Sequence, residues 1–199
     1  MNTDSIIQAS IDFIDSKLSA LSDDCKKDFA KRLRLKSQPA NTTLVKEGEF
    51  SDKLFFIYAG SVRAYYVKDA KNITDWFGFE NDFICAINSY FLNIPSPHYI
   101  ETIEPATLLI INRQDVNYLC DTYHDFDRFG RLAVTQTMLQ LQQRVVSLQF
   151  ESAQQRYENL TKLRPDITQR VPLGHIASYL GMTLETLSRA RQPKKSNLI

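Results

Sequence analysis

The stretch Val171–Arg191, VPLGHIASYLGMTLETLSRAR, decides how this chain is read. Its apolar spacing predicts one helix ending near Leu180, a sharp turn at Gly181 and a second helix opened by Thr183. A threonine hydroxyl accepts well from an N–H of the first helical turn, and Glu185 puts negative charge at the positive end of the helix dipole. Ala177, four residues before Gly181, lets two helices approach closely, and Leu187, six residues after it, can lock the second helix onto the first. Ile176, Leu180, Met182 and Leu187 supply the internal face. Leu184, Glu185, Ser188 and Arg189 then face outward, with Thr183 at the helix start beside them.

A plain helical hairpin with a glycine turn satisfies the same spacing, so the surroundings must separate it from a DNA-reading helix–turn–helix. Upstream, Phe129, Leu132, Gln136, Leu139, Gln143, Val146 and Phe150 recur with steps of 3, 4, 3, 4, 3 and 4. This is a heptad seam with glutamine at two a positions. A helix carrying it must bury it, against a β-domain of its own chain or against a second copy. Gln140, Gln142 and Arg144 leave the apolar face narrow, which suits one partner helix better than a core. A parallel homodimer also places two copies of Val171–Arg191 about a two-fold axis, as two half-sites on DNA require. Residues 151–163 read as a short linking helix, Pro165 breaks it, and Pro172 starts the next.

Further upstream the texture changes. Residues from about 4 to 35 read as helical, with Ile6, Ile7, Ile11, Phe13, Ile14 and Leu18 at helical spacing and a second segment opened by Ser22. From Thr42 to about Ile111, short runs rich in Val, Ile, Phe, Tyr and Thr alternate with turn signals. About seven strands at this spacing predict a compact antiparallel sandwich or roll, with Gly48 and Gly60 where strands reverse. The expected fold class is therefore α+β: an antiparallel, jelly-roll-like β-roll, a long helix and a C-terminal helix–turn–helix. The expected divisions are 1–123 for helices and roll, 124–150 for the dimerisation helix and 151–199 for the DNA-reading part.

Charge agrees with that division. The 199 residues carry 24 Lys and Arg against 23 Asp and Glu, a net of +1 that argues against nucleic acid when read as an average. Residues 1–125 hold 13 basic and 18 acidic side chains, a net of −5, whereas residues 126–199 hold 11 and 5, a net of +6. The basic half carries the helix–turn–helix, where Arg191, Lys194 and Lys195 can meet phosphates. No apolar run nears the ~20 residues that span a bilayer, and the N-terminus, with Asp4, Asp12 and Asp15, has no basic secretory n-region. Cys25, Cys85 and Cys120 are odd in number and lack metal-ligand spacing, so the expectation is a cytoplasmic protein with ordinary thiols and no membrane partner. His98, His124 and His175 lie on different segments, and no Ser-His-Asp or paired-carboxylate spacing occurs, so no enzyme is expected.

These elements, in this order, resemble the Crp/Fnr family of bacterial transcription regulators, whose roll is cyclic-nucleotide-binding-like. The likeness rests on Gly48 and Gly60 in VKEGEFSDKLFFIYAGSVRAYY, on IETIEPATLLII, and on LGMTLETLSR. The family's Glu-Thr/Ser-x-x-Arg core stands here as Glu185, Thr186 and Arg189. The resemblance implies that Glu185 accepts from a cytosine amino group and that Arg189 reads guanine or a phosphate. Where the family often has arginine before that glutamate, this chain has Leu184, which removes one guanine reader. Pro193 closes the last helix and only Lys194–Ile199 follow, so the β-hairpin wing of many relatives is expected to be small or missing. Double-stranded DNA, a second copy and RNA polymerase are the implied partners.

The roll departs further from the family. NDFICAINSYFLNIPSPHYIETIE has Ile84-Cys85 about where relatives that bind cyclic nucleotides carry Gly-Glu, and Ser96-Pro97 about where their arginine falls. No Lys or Arg occurs between Trp76 and Arg113, and a buried phosphodiester without a cation is costly to desolvate. An effector other than cAMP or cGMP, or none, is expected. Phe83, Ile84, Cys85, Ser89, Ser96 and Tyr99 are the candidate effector pocket. An iron–sulfur cluster would need several N-terminal cysteines, and a haem an axial ligand such as His98 or His124, so neither cofactor is expected. The alternative is a ligand-binding or protein-interaction module that has such a roll and no specific DNA binding.

Overall fold

The computed structural model describes residues 2–192. Helices α1 (Thr3–Lys17) and α2 (Asp23–Arg32) precede strands β1 (Arg34–Gln38), β2 (Thr43–Val45), β3 (Lys53–Ala59), β4 (Val62–Lys68), β5 (Lys71–Gly78) and β6 (Phe83–Cys85). A short helix α3 (Ile87–Leu92) leads to β7 (Tyr99–Thr102) and β8 (Ala106–Asn112). The remaining elements are helical: α4 (Arg113–Thr122), α5 (His124–Phe150), α6 (Ala153–Leu163), α7 (Ile167–Arg170), α8 (Leu173–Tyr179) and α9 (Leu184–Ala190).

The strands form two antiparallel sheets, ordered β1-β8-β3-β6 and β2-β7-β4-β5. Alternation along each strand decides what lies between the layers. Phe55 and Ile57 of β3 enter the core between the sheets with Val62, Ala64, Ile84, Ile100 and Leu108. Phe56 points the other way and joins Leu109 and Ile111 under α1, α2, α4 and the start of α5. On the far side, Phe77 and Phe79 leave the second sheet to meet Ile167, Val171, Ile176, Leu180 and Leu187. The molecule is thus four layers deep: helices, first sheet, second sheet, and a C-terminal head made of α6–α9.

The turn joining β3 to β4 shows why glycine stands at position 60. Its φ is +90°, and a Cβ there would sit 2.5 Å from the Pro105 carbonyl oxygen. The β4–β5 hairpin turns on Asp69 and Ala70, both at positive φ (49° and 58°).

Two expectations change. The helical reading to about residue 35 runs past the real boundary, because β1 begins at Arg34 and pairs with β8 from Arg34↔Ile110 to Gln38↔Ala106. In β1 the partly buried Leu35 and Gln38 are interspersed with exposed Arg34, Lys36 and Ser37, a half-buried edge pattern too short to stand out against two preceding helices. Phe129 is the second change. It is buried with Phe83, 5.8 Å between ring centres, and Phe126, 5.5 Å, so its own chain already covers it. The exposed part of the seam begins one step later, at Leu132.

Candidate nucleic-acid interface and roll interior

The head presents one face of α9 to solvent. Gly181 takes φ +63°, which turns the chain between α8 and α9. Thr183 then caps α9, its side chain accepting from the Thr186 N–H at 3.1 Å. Leu187, Ile176 and Ala177 are buried, which fixes the rotation of α9 about its own axis. Thr183, Leu184, Glu185, Ser188, Arg189 and Arg191 are all exposed as a consequence. Arg189 approaches Glu185 at 3.8 Å, one helical turn apart, a solvated pair worth little in stability. Lys194 and Lys195 lie outside the described residues.

Helix α5 runs between the roll and the head. Phe126, Phe129 and Ala133 pack under the first sheet, and near the other end Leu148 lies against Gly181. On the remaining face Leu132, Gln136, Leu139, Gln143, Val146 and Phe150 are exposed. Val134, Met138 and Val145 form a second exposed apolar row that the heptad count passed over. Their steps of 4 and 7 are as heptad-like as the first row, and only the burial of the side facing the roll singles them out.

The candidate pocket residues do not converge. Ile84 faces the core between the sheets, while Phe83 on the same short strand faces the helical layer, 5.0 Å from the Phe56 ring. Burial pushes the thiol of Cys85 up to about 12, so it is neutral. Ser89 is buried with its hydroxyl accepting from the Ser51 N–H at 2.7 Å. Ser96 is buried and donates to the His98 carbonyl at 2.7 Å. Tyr99 lies on the opposite face of its strand from Ile100, stacked 5.1 Å from Tyr65. Consecutive residues of a strand point to opposite faces, and that period divides Phe83, Ile84 and Cys85.

Two arginines of the roll, Arg63 and Arg113, are already engaged by protein acceptors. Arg63 is 3% exposed and pairs with Glu101, which also accepts from the Tyr65 hydroxyl at 3.2 Å. Arg113 donates to the Tyr90 carbonyl at 2.9 Å and to Asn93 Oδ1 at 3.1 Å. His98 is buried against the Tyr66 ring with neither ring nitrogen hydrogen-bonded, and desolvation lowers its pKa. His175 faces the roll rather than the outer surface of the head. Desolvation and then the Arg63 charge lower its pKa, with Glu101 opposing. Cys25 is buried and its thiol is pushed up to about 12 by desolvation, while His124 is exposed at the start of α5. Among the described residues no helix is long and apolar enough to cross a membrane.

Comparison with known proteins places the roll first. Residues 35–123 match the cyclic nucleotide-binding domain, the segment from β1 through α4. No curated protein sequence matches the chain. Among solved structures, FixK2 from Bradyrhizobium japonicum superposes with a TM-score of 0.66 at 18% identity, covering 79% of this chain and 82% of that one. A putative transcriptional regulator of the Crp/Fnr family from Eubacterium rectale gives 0.65 at 17%, covering 85% and 82%. The catabolite activator protein of Thermus thermophilus gives 0.56 at 16%, covering 89% and 84%. At these identities the likeness is one of fold, and it covers 79% to 89% of this chain.

Proposed function

We propose that the chain is a homodimeric, non-enzymatic transcription regulator of the Crp/Fnr type that reads a palindromic DNA site with α9. One observation carries the reading: burial of Leu187 and Ile176 fixes α9 so that Thr183, Leu184, Glu185, Ser188, Arg189 and Arg191 are all presented to solvent together. Glu185 and Arg189 contact base edges, and Arg191 with Lys194 and Lys195 contacts phosphates. Two chains associate through the exposed rows of α5, from Leu132 to Phe150, which sets the distance between the two reading helices. The regulator acts in the cytoplasm, and RNA polymerase is the partner it would recruit or exclude.

The effector is not a cyclic nucleotide, or there is none. Residues 77–112 hold no Lys or Arg, and Arg63 and Arg113 are committed to protein acceptors. A desolvated phosphodiester would find no charge-assisted donor from a side chain there.

A second reading rests on a separate observation. Phe50, Ile87, Phe91, Leu92 and Ile94 are exposed apolar side chains on α3 and the loops beside it, as on a protein-interaction module. Selection of bound sequences from random duplexes by the full-length protein separates the two. Enrichment of an inverted repeat is expected, and recovery without sequence enrichment would refute DNA reading.

A further inference from the structure

The head is fastened to the roll of its own chain by directional contacts at two places, neither of which runs through α5. At the first, Arg170 of α7 donates to both carboxylate oxygens of Glu80, at 2.6 and 2.9 Å. The same guanidinium donates to Glu104 Oε1 at 2.6 and 3.0 Å and to Asp166 Oδ2 at 3.0 Å. Glu80 lies in the β5–β6 turn and Glu104 in the β7–β8 turn, so one side chain of the head holds two turns that join the second sheet to the first. Glu80 is itself anchored, because its Oε1 accepts from the Gly60 N–H at 2.9 Å. Arg164 adds a second guanidinium, 3.7 Å from Glu80 and 3.9 Å from the centre of the Phe79 ring.

At the second place Ser178 of α8 accepts from the Thr74 N–H at 2.8 Å and donates to the Asn72 carbonyl at 3.2 Å. Tyr179 packs its ring 4.9 Å from Phe77. The apolar layer between head and roll supplies adhesion, but apolar burial is non-directional and tolerates rotation. A bidentate guanidinium–carboxylate pair has a fixed plane and length. The shared carboxylates of Glu80 and Glu104 therefore set the angle at which the head sits.

We propose that Arg170, Glu80 and Glu104 form a clasp that pre-orients the DNA-reading head on the roll, so that a dimer meets a two-half-site DNA without an ordering ligand. The proposal rests on the DNA-reading function given above. It makes the β5–β6 and β7–β8 turns, rather than α5 alone, the part of the roll that controls the head. Holding two heads in register makes the second half-site an intramolecular encounter, and losing that register lowers the affinity for paired half-sites while sparing a single one.

The test compares full-length wild type with Glu80→Gln/Glu104→Gln, Arg170→Gln and the conservative Arg170→Lys. Binding is measured to a duplex carrying both selected half-sites and to one carrying a single half-site. Exchange of the Thr74 amide, which reports head–roll contact without DNA, is followed by mass spectrometry or NMR. The expected result is an affinity loss of about tenfold or more for paired half-sites, little change for one, and faster Thr74 exchange, with Arg170→Lys intermediate. Unchanged paired-site binding, tighter paired-site binding or unchanged Thr74 exchange in a folded double variant would each overturn the clasp. If wild type selects no sequence, the DNA-reading function fails, and the Thr74 exchange still decides whether the clasp holds the head.

Discussion

Arg144 lies with its guanidinium 4.0 Å from the centre of the Tyr179 ring and donates to the Tyr179 carbonyl at 2.7 Å. The carbonyl is at the end of α8, where backbone acceptors lack helical partners and positive charge is favoured. One side chain of α5 thus closes the end of α8 and stacks on its last aromatic ring. Arg144→Ala is expected to destabilise the head by about 1–2 kcal/mol, from loss of a charged hydrogen bond and a cation–π contact. Calorimetry reads this as a lower or split melting transition. A variant that melts like wild type would mean that the contact is a surface coincidence.

The exposed rows of α5 make oligomeric state the next observable. Leu139 is 50% exposed at the middle of the seam, so glutamate costs little in an isolated chain. Between two parallel helices it would place like charges opposite one another in an apolar setting. Leu139→Glu is expected to convert a two-chain species into a single folded chain in analytical ultracentrifugation. An unchanged mass would exclude α5 as the interface.

Arg189→Ala separates base reading from phosphate binding. If Arg189 reads a base, the substitution costs about 1–3 kcal/mol at the preferred site and relaxes preference at one position. Arg191→Ala is expected instead to weaken binding evenly across sequences and to reduce the salt slope by about 1. Repeating the site selection with both variants distinguishes these outcomes, and an identical preferred sequence for Arg189→Ala would remove it from the base-reading set.

The head and the long helix were legible because their signals are local. Gly181, Thr183 and Leu187 stand at fixed offsets on one short segment, and α5 announces itself by period. The roll was legible as a class but not in detail, since β1 and β6 have 5 and 3 residues and show too few alternations to place. The facing of the candidate pocket residues was hidden for the same reason: nothing in Phe83-Ile84-Cys85 says which residue faces inward until the pairing Phe55↔Ile84 fixes the register. The clasp was invisible for another cause. Glu80, Glu104 and Arg170 are separated by 24 and 66 residues, and each reads singly as an ordinary surface charge.

The β4–β5 hairpin offers a stability test free of function. Asp69 and Ala70 both have positive φ, the arrangement of a two-residue hairpin turn that favours glycine at its second position. A Cβ in that conformation is strained, so Ala70→Gly is expected to raise stability by about 0.5–1 kcal/mol despite the added freedom of the unfolded chain. Urea unfolding measures it. A lower midpoint would show that Ala70 is unstrained.

Acid should destabilise the fold in two steps. His98 and His175 have pKa values below the ordinary one, His98 through desolvation and His175 through desolvation and Arg63. In the unfolded chain each protonates near its ordinary value of about 6.5. Below that pH the unfolded state therefore binds protons that the folded state does not, and stability falls until the lowered folded values are passed. Asp75 opposes the shift at His98 and Glu101 opposes it at His175. The second step belongs to the clasp. Asp166 is held low chiefly by Arg170, and at Glu80 desolvation is outweighed by hydrogen bonds from Arg170 and Gly60, so both stabilise only while ionised. That contribution is lost as pH falls from the ordinary carboxylate range, about 4, through the lowered folded values. Melting temperature recorded from about pH 7.5 downward should drop first below about 6.5, and the His98→Leu/His175→Gln double variant should flatten that first limb alone. Glu80→Gln should leave the first limb intact and shrink the second. A first limb that survives replacement of both histidines would show that neither is held neutral in the folded protein.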